Sequence, residues 1–92
     1  MKIVINTCYG GFSLSDMAIK ALGLETPFYY SDISRTDERL IALVEQNYET
    51  VSGFYSHLEV VEIPDEATDW MIDEYDGAED IIYVVDGKIH RT

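Results

Sequence analysis

Cys8, Gly10, Gly11, Phe12, Ser13 and Ser15 bring a thiol, a glycine pair and two hydroxyls into one short stretch, C-Y-G-G-F-S-L-S. It follows an apolar β-branched run, Ile3-Val4-Ile5, and leads into a helix start. A strand that turns on glycines into a helix N-terminus gathers unpaired N–H groups and partial positive charge at one point. Such a point suits an anion or nucleotide, with Ser13 and Ser15 as donors and glycine allowing close backbone approach. The stretch carries neither the lysine of a phosphate-binding loop nor the spacing of a dinucleotide fingerprint. Capping alone also accounts for it, because Ser13 can cap the helix while Asp16, three residues on, reaches back.

The other reactive side chains are sparse. A helix dipole could lower the pKa of Cys8, but a nucleophile also wants a base, and the only histidines are His57 and His90. A lone cysteine at a strand end reads more simply as a small buried hydrophobe. Cys8, His57 and His90 contain no close ligand pair of the kind zinc sites use. The acids around Asp73–Asp80 depart from the calcium-loop pattern at Tyr75. Paired carboxylates could be chosen at will from so many acids, which is the reason to choose none. The sequence therefore predicts no catalytic residue, metal or cofactor, and a protein that is not an enzyme.

Charge is the strongest global signal. Six basic residues against eighteen acidic ones give a net charge of −12. Between Arg39 and Lys88 there is no lysine or arginine, and thirteen acids occupy that interval. This sign of field argues against direct nucleic-acid or anionic-membrane binding and favours basic protein surfaces. Acidity also simply keeps a small protein in solution. If Asp69, Asp73, Glu74, Asp76, Glu79 and Asp80 share a face with Trp70 and Tyr75, charge and aromatic anchors coincide.

The elements that must position these groups follow from periodicity. Residues 2–8 read as a strand. Leu14, Met17, Ala18, Ala21 and Leu22 fall at helical spacing, giving a helix of about ten residues stopped by Gly23. Phe28-Tyr29-Tyr30 suits a short edge strand. Ser34 with Asp37 caps a second helix whose stripe runs from Leu40 to Val51 and closes at Gly53. His57–Ile63, Trp70–Tyr75, Ile81–Val85 and Lys88–Arg91 read as strands, with Asp76-Gly77 and Asp86-Gly87 as tight turns. The sum is a single α+β domain over residues 1–92: an antiparallel-rich sheet of about 4–6 strands, with two helices on one face and the first strand at or near its centre.

No apolar run approaches the roughly 20 residues that span a bilayer, and Asn6, Thr7 and the glycines interrupt any secretory signal pattern. A single cysteine fits a reducing cytoplasm.

The opening K-I-V-I-N-T-C-Y-G-G-F-S-L-S-D, the middle V-V-E-I-P-D, the later W-M-I-D-E-Y-D-G-A-E and the final H-R-T together resemble a family of small bacteriophage and prophage proteins. The resemblance covers both ends of the chain and leaves residues 24–55 unmatched. It implies a phage accessory protein made in the bacterial cytoplasm, and no particular mechanism.

Two functions follow as expectations. The first is a phage protein that binds a host or defence protein through Asp69, Trp70, Asp73, Glu74, Tyr75, Asp76, Glu79 and Asp80, as a nucleic-acid mimic. The alternative is a small-molecule binder centred on Gly10, Gly11, Phe12, Ser13 and Ser15. A subunit of a phage assembly is a third reading, and homodimer formation stays open.

Overall fold

The computed structural model describes residues 1–24 and 33–92. Its elements are β1 (Lys2–Asn6), α1 (Asp16–Ala21), α2 (Glu38–Val51), β2 (Leu58–Glu62), β3 (Asp69–Tyr75), β4 (Ala78–Val85) and β5 (Lys88–Arg91). The architecture is α+β, and every strand pair among the described residues is antiparallel. The strands divide into two sheets, β1–β2 and β3–β4–β5, where the periodicity had suggested one. The expected edge strand at Phe28–Tyr30 lies outside the described residues.

The β1–β2 ribbon is the middle layer. Its residues alternate between two cores, as side chains along a strand must. Val4 and Leu58 join the helices in one cluster with Leu14, Ala18, Leu22, Ile33, Leu40, Val44 and Val51. Ile3, Ile5 and Ile63 face the other way, onto Ile81, Ile72, Trp70 and Tyr83 of the three-stranded sheet. β1 is therefore buried from Ile3 to Asn6, which explains its unbroken apolar run. Both helices cover one face of this ribbon, and the hairpin sheet covers the other.

Local chemistry fixes the ends. The cap of α1 is Ser15, whose side chain accepts from the Ala18 N–H, and α1 is only six residues long. Ser13, expected to cap it, instead donates to the Phe54 carbonyl. Asp37 caps α2 by accepting from the N–H groups of Arg39 and Leu40. Within α2, Asn47 leaves the helical region (φ −164°, ψ 91°), and its side-chain oxygen accepts from the Glu49 N–H. That local cap explains a kink without proline or glycine. Asp76-Gly77 and Asp86-Gly87 all have positive φ, the signature of type I′ turns, and these set the register of the β3–β4–β5 meander.

Candidate interaction surface

The glycine turn is where three turns lock together. A side chain at Gly10 would overlap Tyr55, and one at Gly77 would lie 2.5 Å from the Gly11 nitrogen and 2.6 Å from the Tyr9 oxygen. Gly10–Gly11, Phe54–Tyr55 and Asp76–Gly77 thus meet at one end of the molecule. Tyr55 holds φ 62° there, an unusual value for an aromatic residue.

The groups proposed for an anion are engaged internally. Ser15 donates to the Thr50 carbonyl at 2.6 Å while capping α1. Phe12 lies under the Arg35 guanidinium, 3.6 Å from ring centroid to carbon. Cys8 is half-buried, with its backbone bound to Asn6. Among the described residues no group of three or more His, Cys, Asp or Glu is placed to hold a metal.

A buried polar network supports this end from below. Asn6 is fully buried; its amide donates to the carbonyls of Cys8 (2.7 Å) and Gly77 (2.8 Å), and its oxygen accepts from the N–H groups of His57 (2.8 Å) and Cys8 (3.3 Å). Glu79 accepts the Asn6 N–H at 2.8 Å and pairs two-pronged with Arg35. With its side chain only 7% exposed, Glu79 belongs to the interior and not to a surface of acids. Sequence reasoning singled out neither Asn6 nor Arg35. The one hint was an asparagine ending a run buried on both faces.

The remaining acids divide between the two faces of the hairpin sheet. Trp70 and Glu74 share the inward face with Ile72 and Ile81, and Glu74 accepts the Gly77 N–H across its turn. Asp76 lies in that turn. The open face carries Asp69, Met71, Asp73 and Tyr75 from β3, Asp80, Ile82 and Val84 from β4, and Ile89 and Arg91 from β5. Asp73 and Asp80 stand directly opposite each other, a destabilising like-charge pair. Arg91 relieves it by donating to Asp73 at 2.9 Å and to both oxygens of Asp80 at 2.7 Å. Those two carboxylates, Asp80 foremost, hold the Arg91 guanidinium above its ordinary pKa.

Beside this charge cluster the open face is apolar. Met71 is 58% exposed, Tyr75 75% and Ile89 76%, and no described element covers them. The nearby turn junction adds exposed Tyr9, Phe54 and Tyr55, the last two meeting edge to face at 5.5 Å. Sequence reasoning missed Met71, Ile89, Phe54 and Tyr55 because single apolar residues on a short strand or turn carry no signal of exposure.

No helix among the described residues is long and apolar enough to cross a membrane. Comparison of the chain with protein-family models, curated proteins and solved structures finds no match.

Proposed function

We propose that this chain is a non-enzymatic binding protein that docks on a basic surface of a bacterial protein through the open face of β3–β4–β5. One observation carries the reading: Met71, Tyr75 and Ile89 lie exposed on the same face as Asp69, Asp73 and Asp80. Apolar and aromatic anchors supply contact area, and a surrounding field of one sign speeds encounter and selects a basic partner. A solvated face that merely kept the protein soluble would not need the anchors. The resemblance of the opening and closing motifs to phage proteins supports a host or defence protein as the target, met in the bacterial cytoplasm. A nucleic-acid-handling protein fits the charge, and inhibition would then be steric, with the acids standing in for phosphates.

Arg91 neutralises part of the Asp73–Asp80 pair. The face therefore suits a mixed apolar and acidic contact better than a continuous row of phosphate mimics. The test is a tagged pull-down from bacterial lysate, washed at low and high salt, with an Asp69→Lys/Met71→Ser variant alongside. A partner retained by the parent at low salt, shed at high salt and lost by the variant supports the reading. Equal capture by parent and variant overturns it.

A further inference from the structure

The two edges of the β1–β2 ribbon are treated differently. The outer edge of β1 is met at Val4 and Asn6: the Val4 N–H donates to the Arg35 carbonyl at 2.9 Å, Arg35 Nη1 donates to the Val4 carbonyl at 3.2 Å, and the Asn6 N–H donates to Glu79 at 2.8 Å. Among the described residues the outer edge of β2 is not closed. The Ile63 N–H donates to Met1 and the Thr7 N–H to the His57 carbonyl, so the odd-numbered residues of this strand face β1. Antiparallel alternation then turns the backbone groups of Leu58, Val60 and Glu62 outward. Ser52 Oγ accepts the Leu58 N–H at 3.0 Å, while among the described residues nothing meets Val60 or Glu62.

A groove runs beside this open edge, with a volume of about 590 Å³. Val44, Leu58 and Val60 are its apolar lining, Tyr48 and His57 add aromatic rings, and Lys2, Glu45, Glu59 and Glu62 supply its charges. Glu45 is paired with Lys2 at 3.0 Å, whereas Glu59 and Glu62 have no ion pair among the described residues. Unpaired backbone, apolar recesses and unbalanced negative charge are together what an added strand would use.

We infer that the β2 edge accepts an extended basic segment of a partner protein as a third strand. Its backbone pairs with Val60 and Glu62, its apolar side chains enter the groove on the side of Leu58 and Val60, and its lysines or arginines, projecting from the other face, meet Glu59. A second copy of this chain is disfavoured as occupant, because it brings a net charge of −12 and the same two glutamates to the contact. This site lies on a different sheet from the open hairpin face and stands independently of it.

The test is fluorescence anisotropy of the full chain with a labelled hexapeptide of alternating lysine and valine. Two further peptides are methylated on every second backbone nitrogen, in opposite phase. Strand addition predicts saturable binding that falls at least about tenfold for one phase and persists for the other, since one or two backbone bonds are lost in only one of them. The Glu59→Gln/Glu62→Gln variant should weaken binding by a similar factor, and Asp69→Lys/Met71→Ser should leave it unchanged. Equal binding by both methylated peptides, equal binding of a glutamate–valine peptide, or sedimentation as a dimer through this edge overturns the inference.

Discussion

Arg35 and Glu79 lie 44 residues apart in sequence and meet through two hydrogen bonds of 2.8 and 2.9 Å, one to each carboxylate oxygen, at the edge of a strand to which neither belongs. Each also completes the hydrogen bonding of β1, Arg35 at Val4 and Glu79 at Asn6. The pair is thus a substitute for a third strand. Removing one partner leaves a charge buried and a strand edge unmet. Arg35→Ala or Glu79→Ala should cost about 3–5 kcal/mol in urea denaturation. The double variant should cost less than the sum of the two, and additive losses would show that the pair does not act as a unit.

Asn6 allows a sharper test of the same region. Its amide points two donors at carbonyls, so Asn6→Asp would set a carboxylate against the oxygens of Cys8 and Gly77. The folded state then favours the protonated acid and raises its pKa above the unfolded value of about 3.9. Stabilisation by protonation is complete below that value and lost as pH rises through the folded pKa. Relative to the parent, the variant should be destabilised by more than about 2 kcal/mol at pH 7 and by less at pH 4. A penalty independent of pH in denaturation curves would contradict this placement of the amide.

Two glycines separate backbone conformation from crowding. Gly77 and Gly87 both have positive φ in equivalent I′ turns, but only Gly77 has backbone within 3 Å of where a side chain would begin. Gly87→Ala should cost about 1 kcal/mol, the penalty of a left-handed alanine. Gly77→Ala should cost at least about 1 kcal/mol more, because the Gly11 turn must move. Matching thermal melts for the two variants would refute the packing of the three turns.

The cap of α2 gives a pH prediction. A hydrogen bond from the Arg39 side chain leads the effects that lower the Asp37 carboxyl pKa, aided by the backbone N–H groups of Leu40 and Arg39. A depressed folded pKa means stabilisation that is fully present above the unfolded value of about 3.9 and lost as pH falls through the folded one. Asp37→Ala should cost about 1 kcal/mol at pH 7. Its deficit relative to the parent should shrink below pH 4 as the parent's own cap is protonated, which paired melts at pH 7 and pH 3 would measure.

Much of the local architecture was legible because its causes are local. Asp76-Gly77 and Asp86-Gly87 announce hairpins by residue type, and the stripe from Leu40 to Val51 announces α2 by spacing. Glu79 was read among exposed acids because nothing near it in sequence betrays its partner. The division into two sheets was hidden for the same reason, since alternation says that a strand has two faces and not which neighbours fill them. Ser13 reads as the cap of the first helix because Asp16 follows it at capping-box spacing. The carbonyl of Phe54, brought close by the chain's return, claims its hydroxyl, and Ser15 caps α1 in its place.

Ile3, Val4 and Ile5 face opposite cores in turn, so a single strand serves as the inner wall of both the helical layer and the hairpin layer. Neither layer owns a wall of its own on that side. If the hairpin peels away, the helices lose the support behind the strand they rest on, and if the helices loosen, the hairpin loses its floor. The chain gains from this economy a mutual dependence: its two halves persist together or fail together.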